Sequence, residues 1–346
     1  MNHQENEING RAYYTARDLI LYAFGIGCSP KEDVNELRYL YEHDKKIFSA
    51  FPTFLLSLPF RANTIQETNI LRGFGMPDFP PPLVDLSSLV SKSFKAAPLI
   101  HLGQSFRLHQ PLPTCTAEND YQTPIAVDIK TRLIDCKKHK LGTVMITETN
   151  FYHCQEKEKK IHLATAQMTS LIPGQDLEIK KGDRGSKMNA SALHPILISK
   201  MDFQKTVATA YKSKRYGIDN NQALLYRLTG DSNKIHVEGA PGLFHTTQPI
   251  LHGLCTLGYA VRAILSTYGK DRWECTYVNC FFKKPVFVGD EIEVRVWEFE
   301  KYINGEKIIL FQVYNTQTGK IVVDQGIVGL SENMKLKRMP IVKGKL

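Results

Sequence analysis

The amino-acid sequence predicts an α+β fold built from two similar units, each an antiparallel sheet wrapped around one central helix. Three observations carry that prediction. Residues 251–268 are apolar nearly all the way round, through Leu251, Leu254, Cys255, Leu257, Ala260, Val261, Ile264 and Leu265, and a helix apolar on every side belongs in the middle of something. The stretches after it alternate polar and apolar residues between simple turns, the pattern of strands with one buried face. The same order of elements occurs again upstream, so one architecture serves twice.

With 346 residues the chain is long for a single core and comfortable for two packed units. The first unit takes residues 1–172. Its run Phe51-Pro52-Thr53-Phe54-Leu55-Leu56 has the Pro-then-apolar opening of the later Gln248-Pro249-Ile250-Leu251. Pro59 spoils the helix that should follow, because proline lacks an N–H and its ring clashes with the preceding turn. Asp78-Phe79-Pro80-Pro81-Pro82 adds an extended insertion with no downstream counterpart. Gln110-Pro111-Leu112 stands where Lys284-Pro285-Val286 stands later, and strands are expected at 125–136, 143–153 and 160–171. Residues 173–206, rich in Gly, Pro, Lys and Ser and poor in periodicity, read as a linker.

The second unit, 207–346, holds the central helix with Gly269 as its stop. Strands follow at 291–299, 307–314 and 321–330, turned by Asn304-Gly305 and Thr318-Gly319. A buried helix wrapped by such a meander is the arrangement called a hot-dog fold. A first copy that has lost its helix regularity is expected to shape a pocket, leaving the chemistry to the second.

Lys and Arg number 44 against 35 Asp and Glu, a net charge of +9. That surplus favours a polyanionic partner: nucleic acid, an anionic membrane or a phosphorylated small molecule. The chain has no arginine-rich stripe and no zinc-finger spacing, which argues against nucleic acid. It has no uninterrupted apolar run long enough to span a membrane. The seven cysteines are scattered, without a C-x-x-C, and read as reduced thiols of an intracellular protein. The polar N-terminus lacks the apolar run of a secretory signal. The C-terminus, Lys343-Gly344-Lys345-Leu346, differs by one residue from the Ser-Lys-Leu peroxisomal address, and a peroxisomal location is the expectation, with the cytoplasm otherwise.

Between linker and helix lies Tyr226-Arg227-Leu228-Thr229-Gly230-Asp231-Ser232-Asn233-Lys234-Ile235-His236. Asp231 and His236 are five apart, a rotation of about 140° on a helix and opposite faces on a strand. They converge only on an irregular loop, and Gly230, Asp231, Ser232 and Asn233 are the residues that build one. An acid and a base on one turn are the ingredients of proton transfer. The plainer alternative is a surface loop without function. A metal site from Asp231, Asn233 and His236 lacks a second histidine nearby. Gly253, without a Cβ, would let an oxygen approach its N–H closely. That role requires residues 249–251 to be extended and the helix to begin near His252, since an N–H inside the helix is already bonded.

The stretch 223–265, ALLYRLTGDSNKIHVEGAPGLFHTTQPILHGLCTLGYAVRAIL, resembles the hydratase 2 motif of MaoC-like dehydratases, and more closely the (3R)-specific enoyl-CoA hydratase unit of peroxisomal multifunctional enzyme type 2. The family pattern runs Tyr-x-x-Ser/Thr-Gly-Asp-x-Asn-Pro-x-His and then Pro-Ile-Leu-His-Gly-Leu-Cys. Weaker similarity extends upstream through RDLILYAFGIGC, FPTF and the stretch from His101 to Pro113. The resemblance implies a double hot-dog fold and hydration of trans-2-enoyl-CoA to (3R)-3-hydroxyacyl-CoA in fatty acid β-oxidation. It implies an acyl-CoA substrate, no metal or redox cofactor, and a homodimer. The family's catalytic Asp and His fall on Asp231 and His236, its Asn on Asn233 and its oxyanion glycine on Gly253.

Departures from the family pattern cluster around the pocket. Lys234 replaces a proline and should loosen the loop; Val237-Glu238 replaces Ile-Asp. His101-Leu102-Gly103-Gln104 lacks the Glu of His-Gly-Glu-Gln, and Phe281-Phe282 replaces Arg-Phe. Lys283 and Lys284 are candidate contacts for CoA phosphates. Other classes stay open: a dehydratase acting on carrier-protein thioesters, or a non-catalytic acyl-CoA-binding module, which would not need both Asp231 and His236. A thioesterase would place a carboxylate on the central helix, and residues 251–268 contain none.

Overall fold

The computed structural model describes residues 7–44, 47–61, 63–64, 100–114, 123–154, 160–174, 193, 195–244, 246–269 and 273–332. The proline insertion at 78–82, most of the expected linker and the C-terminal Lys343-Gly344-Lys345-Leu346 lie outside them.

Six upstream strands are β1 (Glu7–Tyr14), β2 (Asn63–Thr64), β3 (Ile100–Leu108), β4 (Ile125–His139), β5 (Gly142–Cys154) and β6 (Lys160–Pro173). Five follow downstream: β7 (Lys212–Gly217), β8 (Glu274–Phe282), β9 (Glu291–Glu298), β10 (Lys307–Asn315) and β11 (Ile321–Ser331). All join one sheet in the order β2-β1-β4-β5-β6-β3-β8-β11-β10-β9-β7. Leaving aside the two-residue β2, the upstream order 1-4-5-6-3 meets its own mirror, 8-11-10-9-7. The double hot-dog fold is therefore present, with its two sheets fused edge to edge. The seam is the antiparallel pair β3–β8, with Gly103 opposite Phe281, Ser105 opposite Asn279 and Arg107 opposite Tyr277. Pairing the two edges leaves no open ladder in the middle of the molecule.

The expected turns form. Asn304 and Gly305 both take positive φ (53° and 78°), the two-residue turn whose twist suits a hairpin, and Ile303 and Glu306 pair across it. Alternation along β9 and β10 buries Ile292, Val294, Val296, Ile309, Phe311 and Val313 against the central helix.

That helix, α6 (Gly253–Tyr268), follows α1 (Ala16–Gly25), α2 (Lys200–Val207), α3 (Gln222–Arg227), α4 (Ile235–Glu238) and α5 (Pro241–Phe244). Cys255, Leu257, Ala260, Val261 and Ile264 on α6 are wholly buried, and a fully buried Leu, Val or Ile side chain contributes roughly 1.5–3 kcal/mol. The end of α1 lies directly on α6 at Gly258, where a Cβ would sit 2.4 Å from the Ile26 side chain. The corresponding upstream segment, Pro52–Arg61, is a 3₁₀ helix with Pro59 inside it. On the other face of the downstream sheet, α2 and the residue Ile196 pack through Ile196 and Phe203 on Trp297, Ile308, Leu310 and Ile327.

α6 also buries one charge. Arg262, 3% exposed, donates to Glu36 at 2.6 and 3.0 Å, and its guanidinium lies over Tyr216. A buried guanidinium is tolerated only when paired in this way, and here the pairing ties the central helix to the upstream unit.

Candidate active site

The Asp231–His236 loop is assembled from local chemistry. Gly230 takes φ +137°, and a Cβ there would fall 2.5 Å from the Arg61 side chain, so a glycine lets the chain reverse while pressed against the upstream unit. The Asp231 carboxylate then accepts the Asn233 N–H at 3.2 Å, an Asx turn. Asn233 Oδ1 in its turn accepts the Ile235 N–H at 3.2 Å and starts α4, whose first turn is closed by the His236 N–H on the Asn233 carbonyl at 3.1 Å. Two linked side-chain turns thus bring Asp231 and His236 to one side. Asn233 works on the loop, its amide oxygen engaged with backbone. Lys234 holds φ −60° and its carbonyl accepts the N–H groups of Val237 and Glu238. That φ is the value a proline would impose.

His236 is buried, and its Nδ1 lies 2.8 Å from the Ile250 carbonyl. A carbonyl only accepts, so the neutral ring carries its proton on Nδ1 and leaves a lone pair on Nε2. A second histidine stands against it. His252, 1% exposed, stacks on His236 with ring centroids 3.5 Å apart and an interplanar angle of 23°. Its Nε2 lies 3.1 Å from the Asp231 carbonyl, and its ring centroid is 4.8 Å from that of Tyr226. One ligating atom each from Asp231, His236 and His252 lie within 4.8 Å of one another. The absence of a second histidine near the loop, expected from the sequence, is thereby corrected. His252 is remote along the chain and reaches the loop from the start of α6. The donor set could hold a metal ion, and it fits a single water equally.

Residues 249–251 are extended, as the oxyanion role requires. Ile250 bridges Phe287 and the Leu251 N–H donates to the Val286 carbonyl at 2.7 Å. His252 is the N-cap, with φ −57° and ψ 135°, and Gly253 is the first helical residue. The Thr256 N–H bonds the His252 carbonyl at 3.1 Å, and the N–H groups ahead of it in a first turn have no partner within the helix. The positive end of the α6 dipole adds to their pull on a developing anion. A Cβ at Gly253 would lie 3.3 Å from the Phe282 ring, so this position admits no side chain without moving Phe282. Phe282 in turn packs edge-on to His101, ring centroids 4.8 Å apart. In β3, Leu102 falls in a bulge between His101 and Gly103.

Burial governs the charges. It raises the Asp231 carboxyl above its ordinary value, with His236 and the Asn233 N–H pulling the other way. It lowers His236, partly offset by Asp231 and by the Ile250 carbonyl. His252 is pushed well below the ordinary histidine value, first by burial and then by His236. Asp231 and His236 are therefore drawn toward each other in proton affinity, the condition for exchanging a proton with little cost.

A family model described as MaoC like domain matches residues 202–321, and one described as MFE-2 hydratase 2 N-terminal domain matches residues 13–84. The chain thus carries a MaoC-like domain, preceded by a segment that matches an MFE-2 hydratase 2 N-terminal domain. Among curated relatives, the peroxisomal hydratase-dehydrogenase-epimerase of Saccharomyces cerevisiae is 30% identical over 95% of the chain and 31% of the yeast protein. The probable enoyl-CoA hydratase 2 of Dictyostelium discoideum is 27% identical over 96% of the chain and 93% of its own length. The chain spans less than half of the first curated relatives it matches. Among solved structures, a MaoC-like dehydratase from Phytophthora capsici superposes with a TM-score of 0.64 at 28% identity, covering 94% of this chain and 96% of that one.

The MaoC-like motif marks Asp231, Asn233, His236 and Gly253, and the structure brings Asp231, His236 and the helix start of Gly253 to one place. The sequence reading missed His252 and Phe282. The signal for His252 was present: it immediately precedes Gly253 at the predicted helix start. Among the described residues no helix is long and apolar enough to cross a membrane. The six cysteines described are free, four of them buried.

Proposed function

We propose that this chain reversibly adds water to trans-2-enoyl-CoA, giving (3R)-3-hydroxyacyl-CoA in fatty acid β-oxidation. The observation that carries the reading is an acid–base pair, Asp231 and His236, set beside the unbonded N-terminal turn of α6 at Gly253. One of the pair takes a proton from water as its oxygen bonds C3. The other delivers a proton to C2. The Gly253 N–H receives the negative charge that grows on the thioester oxygen between those events. His236 is suited to accept from water through Nε2, and the Asp231 carboxyl, raised by burial, is suited to give a proton back. Since the two exchange one proton, each serves as acid in one direction and base in the other. These groups supply the whole reaction, so it calls on no metal or redox cofactor.

The names of the yeast and Dictyostelium relatives support a hydratase. The upstream unit, 1–172, would receive the acyl chain. A small cavity of about 30 Å³ there is lined by Leu56, Pro59, Phe60, Phe151 and Met168 and by Leu254, the residue after Gly253. The net charge of +9 suits a phosphate-bearing CoA, with Lys283 and Lys284 as contacts. A homodimer and a peroxisomal location complete the proposal, the latter in keeping with the names of several relatives. Loss of enoyl absorbance on adding the purified chain to crotonyl-CoA and longer 2-enoyl-CoA esters tests the activity. An (S) product, or no turnover at any chain length, would overturn it.

A further inference from the structure

His252 is a side chain that the acid–base pair and the oxyanion donor leave unexplained. It is buried to 1% exposure, and its Nδ1 has no hydrogen-bond partner. A buried polar atom left unpaired is unfavourable, and that cost is tolerated where the atom has a task. The other ring nitrogen shows which tautomer is present. Nε2 faces the Asp231 carbonyl at 3.1 Å, a group that only accepts, so Nε2 carries the proton and Nδ1 keeps its lone pair. Burial and the neighbouring His236 both keep the ring neutral.

The spacing says what that lone pair serves. Three polar atoms, one each from Asp231, His236 and His252, lie within 4.8 Å of one another. With 4.8 Å as the upper bound, a point at the centre of such a triangle lies at most about 2.8 Å from the corners, within hydrogen-bond reach of one water. We infer that His252 is a third ligand of the reacting water, accepting one of its hydrogen bonds at Nδ1 while its Nε2–H holds the Asp231 backbone in place. This rests on the hydratase reading above. The arrangement divides labour: two groups exchange protons with the water, and a ring that stays neutral aims it. The same residue caps α6, so water, acid and oxyanion donor are positioned from one point of the backbone.

Replacing each nitrogen separately tests the inference. In the full chain, His252→Gln sets an amide near the Nε2 position and removes the Nδ1 acceptor, whereas His252→Asn offers an acceptor near Nδ1. For His252→Gln the expected result is a kcat lowered about tenfold or more with KM within about twofold. His252→Asn should recover at least threefold in kcat over His252→Gln. Wild-type kcat in His252→Gln, or a His252→Asn variant no better than His252→Gln, would overturn the role. Either result is distinct from failure of the hydratase reading, in which the wild-type chain itself is inactive. Histidine ¹⁵N NMR of the wild-type chain, with the two rings assigned by loss of their signals in His236→Ala and His252→Gln, reads the tautomers directly. Near pH 7 His236 should be neutral with its proton on Nδ1 and His252 neutral with its proton on Nε2. Both rings protonated on Nδ1 would overturn the inference.

Discussion

In the downstream unit the sheet closes on a regular helix, α6, with Leu257, Val261 and Ile264 wholly buried. In the upstream unit the same place in the strand order belongs to the 3₁₀ turns of Pro52–Arg61. The difference follows from Pro59. Its missing N–H and its ring make a continuous α-helix unfavourable by about 3 kcal/mol or more, and the chain winds more tightly through the gap. A regular helix ends in a set of unbonded N–H groups at a defined place, which is what an oxyanion site needs. A broken one leaves poorly filled space beside the sheet, and the cavity at Leu56, Pro59 and Phe60 lies there. Two copies of one architecture thus offer different things, a charge-stabilising helix end and an apolar recess.

The comparison breaks first at the downstream loop. Asp231→Asn or His236→Ala should lower kcat by about 10²–10⁴, with thermal stability and CoA-ester affinity largely kept. A variant retaining wild-type turnover would remove the loop from the mechanism. The union of the units is tested next. Arg262→Met leaves Glu36 buried without its cation and should destabilise the fold by about 3–5 kcal/mol, read from urea unfolding; a change under about 1 kcal/mol would mean the pair is not the joint described here.

Gly253→Ala should cost about 10² in kcat, comparable to loss of an oxyanion donor, because the added methyl meets Phe282. Adding Phe282→Leu should return part of that loss, and no recovery would place the collision elsewhere. In the upstream recess, Met168→Ala should leave crotonyl-CoA turnover nearly unchanged while raising kcat/KM for longer chains by about 10-fold, the scale of one or two methylenes in an apolar pocket. Equal effects at all chain lengths would detach the recess from the acyl chain.

The smallest expected effect is on the pH dependence of stability. His236 and His252 are lowered on folding, so below the ordinary histidine value of about 6.5 the unfolded chain binds more protons and stability rises with pH there. Asp231 is raised and acts with the opposite sign in the window just above the ordinary carboxyl value. His252→Gln should therefore flatten the rise toward pH 6.5, as seen in denaturation midpoints, and an unchanged slope would count against a buried neutral ring.

Much of the site was legible because its signals are local. The five-residue spacing of Asp231 and His236 demanded a loop, and Gly230 with Asn233 showed how one is made. The start of α6 at Gly253 could be stated as a condition, since an extended Pro249-Ile250-Leu251 depends on nearby residues. His252 was harder. It reads as an ordinary helix cap until its distance to His236 is known, because stacking at 3.5 Å joins residues from two elements. Arg262 carries no local signal of its role, because its partner Glu36 lies 226 residues away.

The sequence by itself determined the two-unit plan, the turns and the residues able to move protons, because periodicity, glycine and proline act on the backbone within a few residues. Tertiary structure alone decided that β3 and β8 fuse two sheets into one, that Arg262 is paired, and that His252 stands against Asp231 and His236. Edge-strand hydrogen bonds, buried charges and ring stacking are satisfied by whichever group arrives in space, and a linear spacing carries no record of that partner.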